Sequence, residues 1–387
     1  MNKSTNNNSS RIIGPDDFKT LTPYTDKELP VVLKRVTESP YFDIMLQRIW
    51  PDIDAQFAKQ LYCSITSIDE FQHKVMMPTV MQLIKGTMDS FTVSGLEQLD
   101  KTTPYLYISN HRDITLDAAL LCFALLRHGM ITPEVSFGDN LIANDFVNDI
   151  ARINRLFPVA RGASRHEFYR SSLLMSAYIH HVLEEKQRSV WIAQRSGRTK
   201  DGDDRTEPGL LKMLSISSKA DFVSTFSSLR IVPVSISYEY EPCALKKAHE
   251  MRAVLNGEVY KKAKGEDMLS IFEGILQNKG RVHLNFSTPI SPDEIKNCAT
   301  APANSTDRNT PYIALSQLID RRIWTGYKLF PLNKLAYDIV ENQASPDILL
   351  AAKGIFTNDI LLRIYANPVA NYNKVQQEQP SQTASTN

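Results

Sequence analysis

The sequence predicts an α/β fold, a mixed sheet with flanking helices, preceded by an N-terminal helical segment and closed by a C-terminal helical cap. Two observations predict it. From about Ser90 to Ile290, short apolar runs of strand length alternate with stretches that carry the 3.6-residue helical period. Outside that region, the apolar positions keep helical spacing alone. The chain has 387 residues, 42% of them hydrophobic, enough to bury one large core or two modest ones.

Residues 1–12 are polar and too poor in apolar side chains to offset the entropy of ordering, so a loose tail is expected there. Residues 13–88 read as an N-terminal helical segment, with Val31, Val32, Leu33 and Val36 and later Met76, Met77, Val80, Met81, Leu83 and Ile84 at helical spacing. Residues 89–300 form the expected α/β domain. Its buried strands are Phe91–Val93, Tyr105–Ile108, Val135–Phe137, Val190–Ala193, Ile231–Ile236 and Val282–Phe286. The helices expected between them are Leu116–Arg127, Ala143–Arg155, Arg165–Lys186, Leu210–Ala220 and Cys243–Lys262. Residues 301–370 should cap the domain with Tyr312–Trp324 and Ile348–Tyr365, and 371–387 should be a second loose tail.

Composition removes several function classes. With 44 Lys plus Arg against 43 Asp plus Glu, the net charge of +1 gives no reason to expect a nucleic-acid partner. Cys63, Cys122, Cys243 and Cys298 are scattered with no CxxC pair, and adjacent His180 and His181 point about 100° apart on a helix. No metal or cofactor is expected, and the cysteines read as reduced. The first residues lack a basic region followed by an apolar stretch, so a secretory signal is not expected. No run approaches the roughly 20 apolar residues of a spanning helix, which leaves a cytoplasmic chain with peripheral contact on the inner face of a membrane. The apolar stripe Met76–Met88, flanked by Lys74 and Lys85, is the favoured contact, ahead of the basic residues Lys246, Lys247, Lys261, Lys262 and Lys264.

The segment Tyr105–Leu126, YLYISNHRDITLDAALLCFALL, carries the chemistry. A strand runs into Ser109, Asn110 and His111, and Arg112, Asp113 and Asp117 lie at the head of an apolar helix. Ligands of open α/β sheets bind beyond the carboxyl ends of the strands, which is where this His and its carboxylates fall. A neutral His can take a hydroxyl proton near pH 7, and a carboxylate on its other ring nitrogen fixes the tautomer. His111 is the candidate base. Asp117 is favoured over Asp113 as its partner, because the apolar pattern that starts at Leu116 sets Asp117 against the buried helix.

This segment resembles the first motif of the PlsC-like glycerolipid acyltransferases, in which Asn-His is followed by an Asp after four residues; here five intervene. Arg155-Leu-Phe-Pro-Val-Ala-Arg161-Gly162 looks like their second motif, and Val190–Gly202, VWIAQRSGRTKDG, is similar to their third. Ile231-Val-Pro-Val-Ser235 resembles the strand held to shape the acyl groove. The resemblance implies an acyl group moved from a thioester donor, acyl-CoA or acyl-ACP, onto a hydroxyl of a glycerophosphate or lysophospholipid, 1-acylglycerol 3-phosphate above all. It carries Phe157 and Arg161 over as substrate-binding residues, and Arg195, Ser196 and Arg198 join them as residues of a third-motif loop enriched in phosphate-binding charge. The family's third-motif glutamate is missing: Arg195 takes its place without a gap, or Ser196 with one. That departure keeps two alternatives in view, a non-catalytic binder of lipid or acyl thioester and an acyltransferase for a lysolipid with an amino-acid head group.

Overall fold

A computed structural model describes residues 13–159, 164–300, 307–341, 356 and 358–378. Five helices, α1 (Leu29–Glu38), α2 (Pro40–Ile49), α3 (Ala55–Ser64), α4 (Ile68–Phe71) and α5 (Met77–Thr87), precede the sheet. Leu29, Leu33, Val36, Phe42 and Phe71 bury a core of their own there, shared with Ile153. Most of the stripe Met76–Met88 faces inward: Val80 and Met88 are buried, and Met77, Leu83 and Ile84 pack against the sheet core. Among its methionines and leucine marked for membrane contact, Met81 is the one that is exposed.

The sheet has seven strands: β1 (Ser90–Ser94), β2 (Leu106–Ser109), β3 (Glu134–Gly138), β4 (Leu156–Val159), β5 (Val190–Ala193), β6 (Ile231–Tyr238) and β7 (Arg281–Phe286), in the order β1-β7-β6-β2-β5-β3-β4. Every neighbouring pair is parallel except β6–β7, which makes the sheet mixed, as the sequence predicts. All six expected strands form. The seventh, β4, is unforeseen because it is short and contains Pro158, which an edge strand tolerates. Pro233 sits inside interior β6. Its carbonyl accepts from the Ser287 amide at 3.0 Å, so its nitrogen faces the β7 side, where the ladder starts only at Val234.

Alternation along the strands divides the core. Leu106, Ile108, Val190 and Ile192 face α8 (Arg165–Glu184), α9 (Pro208–Ser215), α10 (Phe222–Ser228) and, after α13 (Pro292–Thr300), α14 (Thr310–Thr325). Tyr107, Trp191, Val234 and Ile236 face α6 (Leu116–Arg127). A helix α7 (Asp145–Ile153) joins β3 to β4, and Ser164 with Glu167 forms the capping box that starts α8. The helix expected over Leu210–Ala220 runs Pro208–Ser215 as α9, and α10 follows it unforeseen.

Between β6 and β7 the chain makes a helical hairpin, α11 (Ala244–Leu255) and α12 (Glu266–Leu276); the expected helix Cys243–Lys262 ends early, and α12 is unforeseen. Gly257 and Gly265, both with positive φ, break the run. The expected cap helix Ile348–Tyr365 lies in part outside the described residues. After α15 (Pro331–Val340), helix α16 occupies Asp359–Glu378 and carries helix through a segment expected to be loose from 371. Its Asn367 and Asn371 side chains donate to the Asp201 carbonyl at 2.8 Å and to Asp203 Oδ1 at 3.0 Å. These bonds hold the loop after β5.

Candidate active site

Strand β2 ends at Ser109, and its carboxyl end delivers Asn110 and His111 to the sheet edge. The Asn110 amide bridges strands: its nitrogen donates to the Ile236 carbonyl and to Asp204 Oδ2, both at 3.0 Å, and its oxygen accepts from the Ile236 amide at 2.8 Å. This anchors the turn. His111 Nδ1 lies 2.8 Å from Asp117 Oδ2, with the imidazole 14% exposed and the carboxylate fully buried. The same Oδ2 accepts from the backbone amides of Arg112 at 2.6 Å and Asp113 at 2.9 Å. Oδ1 accepts from the Tyr238 hydroxyl at 2.8 Å. A carboxylate so surrounded by donors accepts from Nδ1–H, which leaves Nε2 as the free acceptor nitrogen.

Asp113 has another task. Its Oδ1 accepts from the amides of Thr115 at 2.8 Å and Leu116 at 2.7 Å, and so starts α6. Burial, and then the Asp117 charge, push its carboxyl above the usual carboxylate range. The Asp113 Oδ2 atom has no hydrogen-bond partner among the described residues. Gly274 of α12 lies directly over it, so closely that a Cβ there would sit 2.0 Å from Oδ2.

The loop after β5 runs beside His111. The Gln194 amide donates to the Ser109 carbonyl and the Thr199 amide to the His111 carbonyl, both at 2.8 Å. Arg198, one residue before Thr199, has Nη1 buried and unpartnered among the described residues, and its charge bears on Asp113 and Asp267. Arg195 Nε lies 4.0 Å from Glu207 Oε1, and the Ser196 amide donates to Glu207 Oε2 at 3.4 Å. Behind this loop, Arg112 donates to Asp204 Oδ2 through Nη2 at 2.6 Å and Nε at 3.1 Å, and to Glu241 at 3.1 Å. Lys247 and Tyr327 complete the buried network.

Of the residues the sequence singled out, His111 and Asp117 meet, and the loop carrying Arg195, Ser196 and Arg198 lies alongside. Asp113 is not at the imidazole. Phe157 is a correction: its side chain is fully buried in the sheet core, edge-on to Tyr178 with centroids 5.2 Å apart, because its β4 position turns it inward. Among the described residues it lines no open site. Arg161 lies outside the described residues. Three further residues escaped the sequence reading. Tyr238 closes the carboxylate from β6, and Trp191 sets its ring edge-on to His111, with centroids 5.8 Å apart. Gln194 is the first residue beyond β5; it is fully buried, and both side-chain amide atoms lack partners among the described residues. Its signal was available, as the first polar residue after an apolar strand.

Residues 90–237 match the family model described as Acyltransferase. A glycerol-3-phosphate acyltransferase of Pseudoalteromonas translucida (strain TAC 125) is 29% identical over 219 residues, 56% of this chain and 25% of that protein. The glycerol-3-phosphate acyltransferase of Alteromonas mediterranea is 30% identical over 190 residues, 48% of this chain and 21% of the other. Mouse mitochondrial glycerol-3-phosphate acyltransferase 1 is 26% identical over 222 residues, 55% of this chain and 25% of the other. The matched region thus spans about a quarter of the length of these curated relatives. The crystal structure of the 1-acyl-sn-glycerophosphate (LPA) acyltransferase PlsC from Thermotoga maritima covers 77% of this chain and 94% of its own at 14% identity, with a TM-score of 0.37.

Proposed function

Because residues 90–237 form an acyltransferase domain of the PlsC-like family, we propose that this protein moves a fatty acyl group from a thioester to a hydroxyl of a phosphorylated glycerol. The observation that carries the reading is the 2.8 Å contact between His111 Nδ1 and the buried Asp117 carboxylate. With Nδ1–H held by Asp117, Nε2 takes the proton of the acceptor hydroxyl as its oxygen attacks the thioester carbonyl. The tetrahedral intermediate collapses with loss of the C–S bond, and the thiolate leaves with the proton returned from Nε2. An ester and a free thiol result. Asp117 keeps the tautomer and stabilises the imidazolium between the two transfers.

Arg195 and Arg198 are the cations of the adjacent loop suited to an acceptor phosphate, since a guanidinium offers a planar fork of donors. The relatives' names favour glycerol 3-phosphate as acceptor over the 1-acylglycerol 3-phosphate that the motifs alone suggested. A second reading, a thioester binder without turnover, is favoured by the five residues between His111 and Asp117 and by the missing third-motif glutamate, whose place Arg195 or Ser196 takes.

The test is release of free thiol from acyl-CoA, or from acyl-ACP, with glycerol 3-phosphate, lysophosphatidate or an amino-acid-headed lysolipid as acceptor. Acceptor-dependent release that His111→Ala abolishes is expected. Thioester binding without release, from either donor and with any acceptor, makes the second reading the correct one.

A further inference from the structure

Helix α12 is inside out for a surface helix. Its inner face carries small residues, Gly274 against Asp113 of the catalytic segment and Ser270 beside Cys243. Its outer face carries Leu269, Phe272 and Leu276, spaced three and four residues apart and exposed by 62%, 41% and 50%. An amphipathic helix normally buries such a stripe. A second stripe stands beside it on α2, where Tyr41 and Ile44 are exposed and Arg48, at the same helical spacing, lies over the Phe272 ring at 5.9 Å from its centroid. At the hairpin tip Val254 and Leu255 are exposed, and Val259 is 83% exposed. Lys261, Lys262 and Lys264 follow directly.

Of the acids near this tip, Glu258 is exposed beside Val259, whereas Glu266 and Asp267 are engaged by neighbours. Glu266 accepts from the Tyr260 hydroxyl and the Ala263 amide, and Asp267 from Lys262 and Asn140. Lys246 pairs with Glu273. Lys261 and Lys264 are exposed and form no ion pair among the described residues, so against the one exposed acid of the tip, Glu258, the apolar surface carries a net positive collar. No helix among the described residues is long and apolar enough to cross a membrane.

We propose that the outer face of α12, the hairpin tip and the adjoining stripe of α2 form a docking surface for an anionic lipid bilayer. Apolar side chains enter the acyl boundary while lysines meet the head groups, the pairing that interfacial helices use. A second copy of the chain would bring a like-charged collar to the same contact, which argues against self-association. The choice of a bilayer over a soluble partner rests on the acyl-transfer reading, because that chemistry handles acyl chains. The geometry serves it: Gly274 touches Asp113 on one side of a helix only about 10–12 Å across, so docked lipid lies one helix diameter from the His111 segment.

The experiment is vesicle sedimentation of the whole protein with phosphatidylglycerol-containing vesicles and with phosphatidylcholine alone. One variant carries Leu269→Ser, Phe272→Ser and Leu276→Ser; another carries Lys261→Glu and Lys264→Glu. Wild-type protein should bind the anionic vesicles, and each variant should lower the partition about tenfold or more. Both variants should keep the unfolding midpoint and thiol release with soluble glycerol 3-phosphate. No wild-type binding, or equal binding by the variants, overturns the docking surface. A concentration-dependent dimer in light scattering that the serine variant abolishes also overturns it, and assigns the face to a second copy. Vesicle binding by a protein that releases no thiol with any acceptor would overturn the acyl-transfer reading instead.

Discussion

At Asp117 both carboxylate oxygens are filled by donors, and each donor has a separate consequence. His111→Ala should lower acceptor-dependent thiol release by about a hundredfold or more, the usual worth of a general base. Asp117→Asn should reproduce most of that loss, whereas Asp113→Asn should be mild, since Asp113 Oδ1 serves amides that an Asn oxygen also serves. The ranking of the two variants in a thiol assay decides between the carboxylates. Tyr238→Phe strips Oδ1 of its donor in a buried setting, at a cost of about 1–3 kcal/mol in stability, with a smaller loss of rate than His111→Ala. Asp117 was legible in the sequence because the apolar run at Leu116 fixed which side of the helix is buried. Tyr238 was not, since it lies 121 residues further along and nothing local ties it to the motif.

Among the elements, the strands were legible as short apolar or alternating runs, from Tyr105–Ile108 to Val282–Phe286, and β4 was not, because it is four residues long with Pro158 among them. Helix α12 was not foreseen: the helix expected over Cys243–Lys262 stops at Leu255, and the second helix of the hairpin starts only after Gly265. The α14 helix supplies a pH test. Its Asp320 Oδ1 accepts from the Thr206 amide at 2.7 Å, yet burial raises the carboxyl to about 7. A folded-state pKa raised in this way means that ionisation costs more in the folded than in the unfolded chain. The contribution is favourable at low pH and is lost as pH rises from near 4 through about 7. Asp320→Asn should therefore be more stable than the wild type above pH about 7, with the advantage gone below about pH 4. Unfolding midpoints of the two proteins across that range check it. For α12 itself, Gly274→Ala should push the helix off Asp113, because the added Cβ would lie 2.0 Å from a buried oxygen. A fall in the unfolding midpoint together with a fall in thiol release is the expected pair of readings.

Taken whole, the molecule builds its site from segments far apart in the chain: the turn after β2, the loop after β5, Tyr238 of β6 and the polar contacts of α16. Removing the two side-chain amides, Asn367→Ala with Asn371→Ala, should loosen the loop after β5 while leaving the sheet intact. Faster limited proteolysis within residues 195–205 is the expected reading. The sheet order also dictates a sequence of assembly. Strand β2 lies between β5 and β6, and β6 is made last of the three. As the chain leaves the ribosome, one flank of β2 stays unpaired until residues 231–238 arrive, and until then Asp117 has no Tyr238 to cover it. An open apolar strand edge invites pairing with other chains. A product that stops short of β6 is therefore expected to be insoluble rather than merely inactive.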